Sequence, residues 1–452
     1  VGTDLQTYKQ NTFNPSTVGR DGNPAPVIPS ATYNAQESYN WLIEHTLNFV
    51  KDFDQHHLDA LAGFTAQKVR ADMSYIAATN FPNDRVQTIN AGIVSSASTS
   101  ALEWSLLSYL ARVNYSYKDR YLLTATVRRD GSSRFGANNR WGIFPSFSAG
   151  WRISEEAFMQ PINFIQELKL RASYGFTGNN FIDNYDHIGI LAIRNYVFGN
   201  DGGSIANGIG PSTISNANLS WEKNKQFDVG VELGLFGGRL FFVADYYRKI
   251  TSDLLLNVPV PSLTGYTIAR ENIGKVRNQG WEFGISSQNL TGDLKWSTDL
   301  NFSLNRNTVL ALGPSGEPIF GNYAQITNSH ITEVGKPMGN FYGYQVIGIF
   351  QTQEEIDNNA SFTDSKPGQF RFADINGDGR LSIDDRTILG NPQPDYIFGM
   401  TNTFSYKGYE TKARDRDEIV VPHGDKVMIV HRNREAEGAF ISKLQNLHSN
   451  FI

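Results

Sequence analysis

Residues 227–236 read FDVGVELGLF and alternate without a break. Phe227, Val229, Val231, Leu233 and Leu235 fall on one face, and Asp228, Gly230, Glu232 and Gly234 fall on the other. Successive strand side chains point to opposite faces, so this run specifies a strand with one oily and one polar side. Gly237-Gly238 supplies a turn, and a second strand-like run follows, RLFFVADYYRK at 239–249. Runs of about ten residues are the length a tilted strand needs to cross a bilayer. The stretch therefore points to a transmembrane β-barrel.

The pattern recurs on both sides. Leu107, Tyr109, Ala111, Val113, Tyr115 and Tyr117 share a face up to a turn at Lys118-Asp119, and Tyr121, Leu123, Ala125 and Val127 continue it. Trp141, Ile143, Phe147, Ala149 and Trp151 form another set, and Leu168, Leu170, Ala172, Tyr174 and Phe176 another, opposite Lys169, Arg171 and Ser173. Trp281, Phe283 and Ile285, then Leu294, Trp296, Leu300, Phe302 and Leu304, extend it, and Tyr396, Phe398, Met400 and Phe404 mark a further strand. Phe341 to Phe350 is apolar on both faces and fits less well. Short turns alternate with long polar connections, among them 70–100 and 178–220, whereas a soluble sandwich has shorter strands and no systematic difference between its ends. The expected fold is all-β: an antiparallel, up-and-down segment of a transmembrane barrel, incomplete, of roughly a dozen strands. Residues 1–35 read as a polar loop, 36–410 as the barrel segment, and 411–452 as an atypical charged tail where alternation stops, expected outside the strand ladder and read as the end of a truncated product.

Composition agrees with this fold. The net charge of −5 offers no basic excess to neutralise phosphates, which argues against nucleic-acid binding. No run of eighteen apolar residues exists, so a transmembrane helix is not expected, but barrel strands hide their apolar residues at every second position. The 29 Phe, 20 Tyr and 7 Trp suit the two membrane interfaces, where a ring meets both oil and water. Cysteine is absent, which excludes a disulfide-stapled fold and any thiolate metal site. VGTDLQTYKQ at the N-terminus has neither a basic region nor an apolar core, so no secretion signal is visible and the sequence reads as a fragment.

One motif could hold a metal. Asp374 to Asp385 reads DINGDGRLSIDD, and it follows the twelve-residue calcium loop, with Asp374 at position 1, Asn376 at 3, Asp378 at 5, Gly379 at 6 and Asp385 at 12. The carbonyl of Arg380 would be the position 7 ligand, and Leu381 would anchor the loop. Asp in place of Glu at position 12 is shorter, so closure is weaker, but calcium or a similar cation remains the favoured reading, with an Asx-rich turn as the alternative. A bound calcium would be structural. Arg128, Arg129, Asp130 and Arg134 could form an anion site but read more simply as a solvated strand end. The acidic pairs Glu155-Glu156 and Glu354-Glu355 have no readable catalytic separation. No phosphate loop, nucleophile elbow or triad is present, so an enzyme is not expected.

The segments RYLLTATVRRDGSSRFG, RWGIFPSFSAGWRISEEAFM, LKLRASYGFTGNN, LSWEKNKQFDVGVELGLFGGRLFFVADYYRK, NIGKVRNQGWEF and FADINGDGRLSIDDRTILGNPQPDYIFG together resemble the SusC/RagA family of TonB-dependent outer-membrane transporters. The resemblance spans most of 41–408. It implies a location in the outer membrane of a Gram-negative bacterium and a large barrel, on the order of twenty-two strands, filled by an N-terminal plug. It also implies a SusD-like surface lipoprotein as lid, the TonB complex acting through the plug, and glycan or peptide as cargo. Neither plug nor TonB-contacting segment is visible here. The rival reading is a secreted calcium-dependent carbohydrate-binding β-protein, which would stay soluble without detergent. A passive barrel such as an autotransporter would need no lid and no long loops.

Overall fold

The computed structural model describes residues 1–199, 203–266, 268–313, 316–323, 326–406, 409–423 and 426–430. Among them, fourteen strands form one antiparallel sheet in chain order. They are β1 (Gly2–Asn14), β2 (Ser30–Phe53), β3 (His56–Thr79), β4 (Ile93–Tyr117), β5 (Tyr121–Ser132), β6 (Trp141–Arg152) and β7 (Ile165–Asn179). The series continues with β8 (Glu222–Leu235), β9 (Leu240–Ser252), β10 (Lys275–Thr291), β11 (Leu294–Ala311), β12 (Ile397–Tyr406), β13 (Tyr409–His423) and β14 (Lys426–Val430). Each strand bonds only to its neighbours in sequence, and β1 and β14 are not paired with each other. The sheet is the expected up-and-down meander, and it is open.

Register carries the alternation across strands. Phe227 lies opposite Tyr174, Tyr174 opposite Phe147, and Phe147 opposite Ala125, which faces Val113. A one-residue slip would move each of these to the other side, so a continuous apolar face requires this pairing. That face is the outer one. Val229 is 40% exposed and Phe147 60%, whereas the Asp245 side chain on the opposite face is only 14% exposed. Oil outside and charge inside inverts the pattern of a soluble sandwich, and the secreted rival fails on that point.

The two ends of the sheet differ. At one end most strands join by short turns, at 54–55, 118–120, 236–239 and 292–293, with a longer connection at 153–164. Lys118 and Asp119 both take a left-handed φ of 54°, and the Arg120 amide donates to the Tyr117 carbonyl at 3.0 Å. This is the hairpin geometry whose twist matches the strands. Beside these turns runs a row of rings, Phe53, His56, Tyr117, Tyr121 and Trp151, with successive centroids 5.1, 4.8, 6.3 and 6.4 Å apart. Such a row suits a membrane interface.

Long connections occupy the other end. Small apolar clusters pin them to the sheet: Phe135, Phe144, Ile182, Leu219 and Trp221 form one, and Val276, Val309 and Leu312 another. A Cβ at Gly178 would collide with the Phe144 ring, so this glycine makes the packing possible. The Phe341–Phe350 stretch belongs to these connections, as the short strands Asn340–Tyr344 and Val346–Ile349.

Three sequence expectations need correction. Residues 1–35 are not loop throughout: β1 pairs with β2 from Gly2↔Leu42 to Asn14↔Ser30, and only 15–29 forms the connection. Backbone groups make a ladder whatever the side chains, and strand preference follows context more than residue type. Likewise 70–100 is mostly strand, because β3 runs to Thr79 and β4 starts at Ile93. At 24 and 25 residues these strands exceed a bilayer crossing, so their far ends meet water on both sides and need no oily face. Finally, the ladder does not stop at residue 411. β13 pairs with β12, and β14 with β13. The remainder of the expected 411–452 tail, from 431 onward, lies outside the described residues.

Val231 is the middle of the run from Phe227 to Leu235. In the full-length protein in lipid, Val231→Arg should cost about 2–4 kcal/mol in a urea titration, the penalty for a charge near the bilayer midplane. Glu232→Gln should cost clearly less. Equal costs would reverse the assignment of faces.

Candidate functional site

The inner face is built from side chains that the register brings together. Arg171 of β7 lies opposite Gly230 of β8, which lies opposite Asp245 of β9. The Arg171 guanidinium reaches Asp228 at 3.3 Å, Glu232 at 3.1 Å and Asp245 at 2.6 Å, and Lys169 reaches Glu232 at 3.3 Å. Gly230 leaves the space, since a Cβ there would collide with the Asp245 carboxylate. Farther along, the Tyr247 hydroxyl donates to Asn305 at 3.1 Å, and the Asn305 and Asn307 amides both donate to the Asn278 oxygen at 3.2 and 2.9 Å. Three carboxylates against two cations, followed by an amide ladder, make a wettable wall. Sequence placed these charges on one face but could not join them, because joining them needs the cross-strand register.

The connection 312–396 forms a layer of its own at the long-loop end. Four short strands, Ile319–Tyr323, Ile326–Thr332, Asn340–Tyr344 and Arg386–Gly390, make a small sheet. A cleft of about 890 Å³ opens beside it, lined among others by Phe320, Glu333, Lys336, Asn340, Tyr342 and Arg386. The Phe320 and Tyr342 rings lie 5.5 Å apart, and the Arg386 guanidinium sits 5.0 Å from the Tyr342 ring centroid. Aromatic surface with both signs of charge and an amide can hold a polar ligand by stacking and hydrogen bonds. No local motif marks these residues in the sequence.

The Asp374–Asp385 loop belongs to the same layer. Asp374 accepts the Gly377 and Gly379 amides at 2.7 and 2.8 Å, Asn376 accepts the Asp378 amide at 2.9 Å, and Asp378 accepts the Arg380 amide at 2.8 Å. Gly379 has a φ of 80°, the left-handed turn expected at the sixth position. Asp385 is fully buried and accepts the Ser382 and Ile375 amides at 2.8 and 3.0 Å, while Leu381 is buried beside it. The backbone amide of Ser382, then those of Ile375 and Asn376, hold the Asp385 carboxyl below its usual pKa. Among the described residues, no group of three or more His, Cys, Asp or Glu is arranged as a metal site.

The other sequence candidates separate. Arg128 pairs with Asp130 at 2.7 Å, Arg129 lies over Trp141 at 4.6 Å, and Arg134 bonds Asn184 at 2.9 Å, so they form no common anion site. Glu155 and Glu156 pair with Arg152 and Arg120. Thr352 caps the short helix Gln353–Asp357 by accepting the Glu355 amide at 3.2 Å, and the Glu355 carboxylate accepts the Gln351 amide at 2.8 Å.

A family profile described as TonB dependent receptor-like, beta-barrel, matches residues 2–409. The chain is 37% identical over 408 residues to TonB-dependent receptor P3 of Formosa agariphila, covering 88% of this chain and 40% of that protein. It is 34% identical over 315 residues to TonB-dependent receptor SusC of Bacteroides thetaiotaomicron, covering 68% of this chain and 30% of that one. The solved structure of the RagAB peptide transporter superposes with a TM-score of 0.77 at 25% identity, covering 92% of this chain and 44% of that one. The chain spans about two fifths of the length of the Formosa receptors it matches.

The lowered pKa of Asp385 gives the loop a pH dependence of definite sign. Its ionised form is favoured by folding, so the stabilisation is complete above the unfolded carboxylate pKa of about 3.9 and is lost as pH falls through the lower folded value. Protease protection of 374–385 should be constant from about pH 7 to 5 and fall below about pH 4. Asp385→Asn should remove that acid step, and an unchanged step in this variant would assign the transition to another group.

Proposed function

The chain belongs to the TonB-dependent receptor-like β-barrel family, and from that premise we propose that it is the lipid-embedded wall of an importer of oligosaccharides, peptides or other large nutrients. Its relatives are outer-membrane barrels of Gram-negative bacteria, and this chain is an outer-membrane protein of that kind. The observation that carries the proposal is the inversion of faces, an apolar exterior around an ion-paired, amide-lined interior with a ligand-sized cleft at the long-loop end. In this reading the protein is a carrier and not an enzyme. Its interior supplies polar contacts along a path. A SusD-like surface lipoprotein is the proposed partner at the long-loop end, and TonB, acting through a plug domain, supplies the opening force.

Cargo class is tested on the full-length transporter, with maltooligosaccharides and a defined peptide pool as probes. TonB-dependent, saturable uptake of one of them is expected. Tyr342→Ala should weaken binding about tenfold, as truncating a central aromatic contact does. Unchanged affinity would move the cargo path away from the cleft, and uptake without TonB would contradict the importer.

The Asp374–Asp385 loop supports a second element of the proposal, a structural calcium ion held by Asp374, Asn376, Asp378, Asp385 and the Arg380 carbonyl. The left-handed Gly379 and the amide bonds that hold the short side chains in place favour it. Chelation should then expose 362–394 to protease while leaving the barrel ladder intact, and Asp378→Ala should do the same with calcium present. If neither treatment changes cleavage, the loop is an amide-bonded turn alone.

A further inference from the structure

The outer face of the sheet carries a sign asymmetry that the transport reading leaves unused. Every Asp and Glu in β5 through β11, from Asp130 to Asp299, shares the inner face by strand alternation and register. The outer face of these strands has only cations, among them Arg129, Lys225, Arg248 and Arg306. A surface exposed to water would mix the two signs. These cations also sit at a definite height. Arg129, Lys225 and Arg248 lie eight to ten residues above the short-turn ends of β5, β8 and β9. With strands tilted about 40° at about 3.4 Å per residue, that is roughly 20–26 Å, the height of the apolar band of an outer-membrane barrel. They therefore meet the headgroup level of the leaflet at the long-loop end.

Three of these cations have no carboxylate partner among the described residues, and of these Arg129 lies over the Trp141 ring at 4.6 Å. Lys225 lies over the Tyr174 ring at 5.4 Å. Arg248, the cross-strand partner of Phe227, makes no side-chain hydrogen bond, ion pair or ring contact among the described residues. By contrast, Arg306 is paired with Asp395 at 2.6 Å. Directly below Lys225 the outer surface is dented. Ala125, Ala149 and Ala172 form the floor of an apolar groove of about 460 Å³, and Phe147, Tyr174 and Phe227 wall it. Lys225 thus stands over the Tyr174 wall of the groove, and Arg248 lies across the ladder from its Phe227 wall.

We infer that this groove and these two cations form a binding site for an anionic, phosphate-bearing membrane lipid, with an acyl chain in the alanine-floored groove and the headgroup on Lys225 and Arg248. Charge complementarity decides the occupant, because a zwitterionic lipid would leave the excess of cations uncompensated and a protein partner would have to displace hydrocarbon from the groove. Both side chains can extend along the oily surface and place their charge at the phosphates.

The test titrates the purified full-length transporter, in neutral detergent, with dioleoyl phosphatidic acid or dioleoyl phosphatidylcholine and counts bound lipid by native mass spectrometry. The phosphatidic acid should bind saturably and in preference. Lys225→Gln and Arg248→Gln should each lower its affinity about fivefold, the effect of removing one basic residue at a lipid surface. Ala149→Phe, which fills the groove and keeps both cations, should also lower it. Lys249→Gln, the neighbouring cation on the inner face, should not. Folding of each variant is checked by the heat-dependent gel shift of the barrel. Equal binding of the two lipids by the parent protein, or equal losses in Arg248→Gln and Lys249→Gln, would overturn the site.

Discussion

In hydrocarbon no water is available to bond a backbone amide or carbonyl, so each must find its partner in a neighbouring strand. The rest of the structure depends on that constraint. It forces the chain into one continuous ladder in which each strand bonds to its neighbours in sequence. Fixed register then turns the alternation of single strands into two unlike surfaces, one of Phe147, Tyr174, Phe227 and Val229, the other of Arg171, Asp228, Glu232 and Asp245. It also means that the outer edges of β1 and β14, which do not pair with each other, need further strands before the sheet can lie in lipid.

The parts of the fold legible in the sequence are those where one strand side meets oil. β5 and β7 to β11 announce themselves, because Leu123, Leu170, Val231 and Trp281 must alternate with polar neighbours. β1 and the far halves of β3 and β4 were not legible, and the reason is the same for all of them. The hydrogen bonds that hold a strand are made by the backbone and leave no mark in side-chain pattern once neither face is buried in oil.

The candidate site divides along a similar line. The Asp374–Asp385 loop could be read because its bonds are local, running from Asp374 to Gly379 and from Asp385 back to Ile375. The inner ion cluster needed a register linking Lys169 and Arg171 to residues some sixty and more positions away. The cleft of Phe320, Lys336, Tyr342 and Arg386 needed the folding of a long connection. Its residues are ordinary in sequence and gain meaning only by proximity. The oily exterior was visible early, but its one-signed charge emerged only when alternation could be followed from β5 to β11.

The division of the sheet into a lipid face and a water face is the claim on which the others stand. The described chain has no cysteine, so single cysteines can be placed from Phe227 to Leu235 in a cysteine-free version of the full-length transporter and carry spin labels in lipid nanodiscs. Collisions with oxygen, which concentrates in hydrocarbon, and with a water-soluble nickel chelate should alternate with period two and in opposite phase. Labels at 227, 229, 231, 233 and 235 should favour oxygen, and those at 228, 230, 232 and 234 the chelate. Profiles without that alternation, or with its phase reversed, would contradict the account.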